Sequence, residues 1–287
     1  MINGVLNVWK EAGFTSHDVV AKLRGILHQK KIGHTGTLDP DATGVLPVCL
    51  GKGTRLCDML TDETKTYEAL LHLGIATDTQ DMSGTVTAEA PVTVTEEEVR
   101  DCIASFVGEQ QQVPPMYSAL KVNGKKLYEL AREGIEIERK ARTVHFYEIS
   151  ILEVKLPLVR MEVTCSKGTY IRTLCHDIGQ ALGCGGAMYS LRRTMAAGYT
   201  LAEAVSLEDV QAQGEALLRP VESMFTAYPL YTLPSPGKET RVRNGNPITV
   251  PELADGAYRV HGKNGEFLCL SCAENGTLTS IKNFFGA

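Results

Sequence analysis

Gly33-His34-Thr35-Gly36-Thr37-Leu38-Asp39-Pro40-Asp41-Ala42-Thr43-Gly44 is the stretch on which the reading of this chain turns. Three glycines and a proline within it leave no periodic apolar face, so it reads as loop. Asp39 is held there between glycines and Pro40 on a rigid, sharply turning segment. Loops carried by a rigid scaffold concentrate catalytic groups, but aspartate also caps turns with its own side chain. Both roles fit these residues. Val45-Leu46-Pro47-Val48-Cys49-Leu50 follows as a short buried run.

Working outward, Thr15 or Ser16 can cap a helix with Val19, Val20, Leu23, Ile26 and Leu27 on its apolar face, ending near Gln29. Residues 54–60 read as a helical turn or two. Tyr67, Ala69, Leu71 and Leu73 alternate on one face of a strand. Thr95-Glu96-Glu97-Glu98 forms a capping box for a helix through Val99, Ile103 and Phe106. Val113-Pro114-Pro115 breaks regular structure, and a short helical pattern follows within 121–142. Residues 143–154 and 158–165 alternate as strands. Thr169 then caps a helix with Ile171, Leu174, Cys175, Ile178 and Leu182 at helical spacing. Residues 228–287 turn rich in Gly, Pro and Asn, with β-like pieces such as Tyr258-Arg259-Val260. This mixture predicts an α+β catalytic domain over 1–227 and a small β domain over 228–287.

The 287 residues carry 29 Lys+Arg against 34 Asp+Glu, a net charge of -5 that by itself argues against a nucleic-acid partner. Its distribution reverses that inference. Residues 78–109 hold eight acids and only Arg100 as a base, while 22–31, 121–142 and 165–198 are each net basic. A solvated surface and a polarised binding face both fit those runs. No apolar run approaches the roughly 20 residues needed to cross a bilayer, and Met1-Ile2-Asn3-Gly4 opens no signal peptide. Eight cysteines in such a chain are expected to be reduced thiols. Gly51-Lys52-Gly53-Thr54 lacks the upstream glycine of a phosphate loop. Cys269 and Cys272 have zinc spacing without a second ligand pair, so no metal is expected.

The 33–47 stretch resembles the central motif of the TruB family of tRNA pseudouridine synthases. Four further blocks resemble that family in the same order: Lys65-Thr66-Tyr67 with Thr77-Asp78-Thr79-Gln80-Asp81; Gln112-Val113-Pro114-Pro115 with Ser118-Ala119-Leu120-Lys121, Gly124 and Tyr128; Gly168-Thr169-Tyr170-Ile171-Arg172; and Leu191-Arg192-Arg193-Thr194. Together they span residues 4–200. Near the N-terminus, Lys10, Gly13, Thr15 and Ser16 keep the family's opening pattern, whereas its Asp and Pro are missing.

The resemblance implies a pseudouridine-synthase fold, with a mixed, largely antiparallel sheet flanked by helices and loops and a PUA-like C-terminal β domain. It implies isomerisation of uridine 55 in the T-loop of tRNA by base flipping, without cofactor or metal. Asp39 would be the catalytic carboxylate, Arg172 its ion-pair partner, and Tyr67 the ring stacked on the flipped uracil with a hydroxyl for proton relay. Leu191 would wall the base pocket, and His34 and Tyr170 would contact substrate. Lys22, Lys30, Lys31, Lys121, Lys125 and Lys126 would grip phosphates, the last three from an RNA-gripping insertion at about 112–142. That insertion favours a stand-alone cytoplasmic monomer acting on the T-arm of tRNA, with no guide RNA, obligate protein partner or membrane. The alternative is an RNA-binding, tRNA-folding module in which catalysis is secondary.

Overall fold

The computed structural model describes residues 1–122 and 124–286. Asn123, inside the expected insertion, and Ala287, at the end of the expected β domain, lie outside the described residues. In chain order the first elements are β1 (Gly4–Lys10), α1 (Ser16–Ile26), β2 (Ile32–His34), β3 (Thr43–Leu50), α2 (Cys57–Asp62) and β4 (Lys65–Leu73). Next come β5 (Ile75–Thr77), β6 (Val86–Glu89), α3 (Glu96–Ala104), β7 (Gly108–Gln112), β8 (Lys121–Val122), β9 (Lys125–Lys126) and α4 (Leu127–Arg132). The large sheet is completed by β10 (Arg142–Lys155), β11 (Leu158–Cys165), α5 (Ile171–Ala181), β12 (Gly186–Ala196) and β13 (Tyr199–Thr200). After α6 (Leu207–Gln213) the chain enters β14 (Leu230–Thr232), α7 (Pro236–Arg243), β15 (Ile248–Thr249), β16 (Gly256–His261), β17 (Phe267–Glu274) and β18 (Thr277–Asn283).

The main sheet runs β1-β3-β12-β4-β11-β10-β7, with β2 added beside β3 and β13 beside β12. Its pairings are antiparallel except β3 with β12, which run parallel. The fold is therefore α+β with a largely antiparallel sheet, as the sequence implies, and a second, five-stranded sheet follows it.

Alternation decides which face of β4 is buried. Tyr67, Ala69, Leu71 and Leu73 point to one side and pack with Val159, Met161 and Val163 of β11 beneath α3 and α5. On α5 the apolar residues Ile171, Leu174, Cys175 and Ile178 are all buried against that layer. Each large side chain so buried is worth about 1.5–3 kcal/mol, so α5, which carries Arg172, is firmly seated. Its close approach to β12 requires glycine. A Cβ on Gly179 would stand 2.0 Å from the Gly186 nitrogen.

β3 is buried on both faces. Leu46, Val48 and Leu50 join α1 and α6 in one core, while Val45 and Cys49 face a second core on the other side. That second core includes Phe225 and, from the C-terminal sheet, Phe284. Phe225 also packs against Phe267 of β17, with ring centroids 5.7 Å apart. Arg55 bonds the carbonyls of Asn283 and Phe285, adding polar contacts at the same junction.

Several elements depart from the sequence reading. Thr15 caps α1 through a capping box with Asp18, but the helix stops at Ile26 because His28 adopts a positive φ of 50°. The 33–44 loop is shorter than expected, since Ile32–His34 pair with β3 and Thr43 begins it. Thr169 does not cap α5. Its hydroxyl donates to the Ser166 carbonyl, while the Gln112 side chain bonds both the N–H and the C=O of Tyr170 at the helix start. α7 arises in a segment read as purely β; it begins at Pro236 with Ser235 as its cap.

Candidate active site

The 35–42 loop leaves the edge of the main sheet and is fastened at several points. Thr35 N–H donates to Pro47, Leu38 N–H to the Ser16 hydroxyl, and Gly13 N–H to the Pro40 carbonyl. Its strongest tether is Lys10. That side chain is fully buried at the end of β1, and its ammonium donates to the carbonyls of Glu11, Pro40 and Ala42 at 2.8, 2.9 and 2.6 Å. All three ammonium protons are thereby used. Burial pushes its pKa down to about 8, against the opposing pull of Asp39 and Asp41.

Asp39, at the loop's apex, meets Arg172 from the first turn of α5. Arg172 Nε lies 3.1 Å from Asp39 Oδ2, and its Nη2 is 3.3 Å from Oδ1. The two planes thus meet in the two-point manner that arginine, not lysine, provides. The same guanidinium reaches Asp81 Oδ2 at 3.4 Å and the carbonyls of Tyr117 and Thr79 at 2.9 and 3.4 Å. Asp81 is itself held by the hydroxyls of Thr79 and Ser83. Burial raises the Asp39 pKa above the ordinary carboxylate range, Arg172 opposes this, and Asp81 adds to it. The Asp39 side chain keeps 41% of its surface exposed while that of Arg172 keeps 7%. The carboxylate therefore faces an opening and the cation lies behind it.

Tyr67, 8% exposed, belongs to the apolar layer that also contains Leu38, Ala42 and Ile171. Leu191 packs against this layer from β12, opposite Ala69. Asp39, Arg172, Tyr67 and Leu191 are thus gathered where the loop, α5, β4 and β12 converge. Burial raises the Tyr67 phenol pKa, an effect that Arg193 opposes. Tyr170 stands at the start of α5 with its backbone held by Gln112, and burial raises its phenol pKa. His34 is half-buried, and its Nδ1 accepts the Gly36 N–H at 3.3 Å. Burial and the charge on Arg193 lower its pKa, favouring the neutral ring.

The six lysines are dispersed. Lys22 is exposed on α1 with its ammonium 4.2 Å from the Phe14 ring centroid. Lys30 and Lys31 are exposed beside Gly51 at the far end of β3, whose N–H donates to the Lys31 carbonyl. At about 3.3 Å per strand residue, that is some 20 Å from the Asp39 end. Lys121 pairs with Lys126 across the β8–β9 hairpin, Lys125 reaches Glu133 at 3.6 Å, and Lys126 donates to the Tyr128 hydroxyl. Just upstream of this hairpin, the Tyr117 carbonyl accepts from Arg172, which joins the insertion directly to the site.

Sequence reading left Asp81, Lys10 and Arg193 without roles. Asp81 and Lys10 lay inside quoted motifs, but their contacts cross 91 and 30 residues of chain and are made partly to backbone carbonyls. Among the described residues, no group of three His, Cys, Asp or Glu is placed to hold a metal ion. No described helix is long and apolar enough to cross a membrane.

Residues 24–171 match the family model described as TruB family pseudouridylate synthase, N terminal domain, and residues 172–226 match the tRNA pseudouridylate synthase B C-terminal domain. The chain is 46% identical over 275 residues to the tRNA pseudouridine synthase B of Alkaliphilus oremlandii (strain OhILAs), covering 94% of this chain and 89% of that protein. The protein of the same name from Lachnoclostridium phytofermentans is 56% identical over 242 residues, covering 79% of this chain and 78% of its own. Among solved structures, a chain of an H/ACA RNP bound to a substrate RNA containing 2′-deoxyuridine superposes with a TM-score of 0.72 at 27% identity. That match covers 99% of this chain and 85% of that one. An archaeal box H/ACA sRNP complex gives 0.70 at 28% identity, covering 98% and 86%.

Proposed function

The chain belongs to the TruB family of pseudouridylate synthases, and on that footing we propose that it isomerises uridine 55 in the T-loop of tRNA. It acts alone, in the cytoplasm, by flipping the base out of the stack. The observation that carries this reading is the Asp39–Arg172 pair, its carboxylate partly exposed, beside the apolar layer that holds Tyr67 and against which Leu191 packs. A carboxylate that faces an opening, beside surfaces suited to a planar ring, is what cutting and remaking a glycosidic bond on an extruded base requires.

The reaction breaks N1–C1′ and joins C5 to C1′. No atom is gained and no electron is transferred, so its stoichiometry calls for neither a redox cofactor nor a group donor. Asp39 serves as nucleophile or base toward the nucleotide. Arg172 keeps it ionised against the desolvation that raises its pKa. Asp81 and the Tyr117 carbonyl hold Arg172 in that orientation. Tyr67 offers its ring for stacking and its hydroxyl for proton relay, and Leu191 closes the apolar wall. Extrusion costs a few kcal/mol, which phosphate contacts from Lys22, Lys30, Lys31, Lys121, Lys125 and Lys126 help to offset. His34 and Tyr170 complete the contacts to the displaced nucleotides.

Identity of 46% to a protein named as a tRNA enzyme, against 27–28% to chains from H/ACA particles, supports the stand-alone reading. The domain division at 227/228 is part of the same proposal, with the second sheet contributing to RNA contact. Forming pseudouridine displaces the hydrogen on C5, which gives a direct test. tRNA transcribed with uridine tritiated at C5 should release one tritium per molecule when incubated with this chain alone. Release only after a guide RNA or protein is added would overturn the stand-alone reading.

A further inference from the structure

Arg193 lies on β12 opposite Tyr67 of β4, only 1% exposed. Its Nε donates to the Val45 carbonyl at 2.7 Å and its Nη2 to the Gly36 carbonyl at 3.3 Å. The other buried guanidinium, Arg172, has two carboxylates. Among the described residues none lies within 4 Å of Arg193. A buried ion without a counter-ion costs several kcal/mol. The nearby ionisable bases make the setting more cationic, since Lys10, Lys65 and His34 all feel its charge. Those three can shed a proton, whereas a guanidinium keeps its charge when buried. The chain thus maintains one permanent positive charge, without a carboxylate partner among the described residues, opposite Tyr67.

Its cross-strand neighbour is a candidate catalytic residue. Arg193 and Tyr67 are cross-strand partners in the β4–β12 ladder, and the charge on Arg193 pulls the Tyr67 phenol pKa down against the burial that raises it. The site is built to allow this approach. β12 runs so close to β3 that a Cβ on Gly44, whose φ is +108°, would stand 2.2 Å from the Arg193 carbonyl oxygen.

We propose that Arg193 is a positioning residue for the isomerisation, setting the Tyr67 oxygen toward the base and compensating the negative charge that oxygen carries before it takes a proton. This rests on the function proposed above and adds a residue to it. Once C5 is bonded to C1′, C5 still holds its hydrogen. The C5–H bond breaks, the proton passes to the phenolate oxygen of Tyr67, the freed electron pair forms the C5–C6 double bond, and the C6–N1 π pair withdraws onto N1. N1 takes up a proton, so one proton in effect moves from C5 to N1. The guanidinium opposes the burial that raises the Tyr67 phenol pKa, lowering the cost of forming the phenolate in an apolar layer. Besides Arg193, the groups facing that oxygen are Cys165 from β11 and Asp39 from the loop, both of which disfavour the phenolate.

A double-mutant cycle with a pH profile tests this. Arg193→Lys keeps a charge but loses the fork, so kcat should fall about 100-fold with KM within about 3-fold. In a Tyr67→Phe background the same substitution should cost less than about 2-fold, because the hydroxyl it serves is gone. Arg193→Gln, where it folds, should move the limb on which kcat rises with pH to higher pH. Equal losses in both backgrounds, or a KM that rises as kcat falls, would assign Arg193 a structural role only. Wild-type protein in the same assay separates the two levels. Turnover by wild type with additive losses overturns the Arg193 role alone, and no wild-type turnover overturns the function itself.

Discussion

The two sheets of this molecule treat charge in opposite ways. The nine-stranded sheet and its loops bury Lys10, Lys65, Arg172 and Arg193, each 7% exposed or less. In the five-stranded sheet, Ser271 is the only buried polar residue among those described. Its charges lie at the surface, in pairs such as Arg243 with Glu239 and Glu266, or at the junction, where Glu222 meets Arg259 and His261. Surface pairs contribute about 0–1 kcal/mol each, whereas burying an ion costs several. The large sheet thus carries a stability cost that the small one avoids, and the cost is concentrated around one loop. Such a distribution fits the proposed function, in which the first sheet carries the chemistry and the second contributes to RNA contact.

The difference can be broken most severely at Asp39. Asp39→Asn should lower turnover by about 10⁴-fold while the tRNA dissociation constant stays within about 3-fold. The same substitution should raise the melting temperature at pH 7. The folded-state pKa of Asp39 lies above its unfolded value, so ionisation favours the unfolded chain as pH rises through the folded pKa. The stabilisation should therefore vanish near pH 4, about the unfolded value. Melting curves from pH 4 to 8 check the sign, and a uniformly lower melting temperature would contradict it.

Arg172→Lys comes next. Losing the planar fork should cost about 100-fold in kcat with little change in affinity, measurable by single-turnover kinetics. An equal loss in affinity would assign Arg172 to binding. In the small sheet the expectation inverts. Phe284→Ala removes a buried ring from the junction and should cost about 3–5 kcal/mol in denaturant unfolding. Turnover per folded molecule should remain within about 2-fold. The smallest effect on chemistry belongs to Lys121→Glu with Lys125→Glu. KM should rise several-fold, and the dependence of log affinity on log salt should flatten by about one to two; an unchanged slope would remove these lysines from the RNA contacts.

The sequence made some of this legible and not the rest, for physical reasons. Period-two alternation exposed β4 and its buried face, and the 3.6-residue spacing exposed α5, because both patterns are local. Asp39 stood out because glycine and proline mark the turn that presents it. The start of α5 differs from the sequence reading because no side chain caps it: Thr169 bonds back to Ser166, and Gln112, 58 residues upstream, holds the Tyr170 backbone instead. Lys10 and Arg193 escaped for a related reason. Their principal partners are backbone carbonyls of Pro40, Ala42, Val45 and Gly36, which carry no residue identity to read. Net charge misled until it was divided by segment, and Asp81, from the acidic stretch, proves to face Arg172.

The most direct measurement is to map pseudouridine in an unmodified tRNA transcript after incubation with the purified wild-type chain alone, alongside Asp39→Asn. One pseudouridine at position 55 with wild type, and none with Asp39→Asn at equal RNA occupancy, is the predicted result. Pseudouridine elsewhere, none at all, or an equal yield from Asp39→Asn would contradict it.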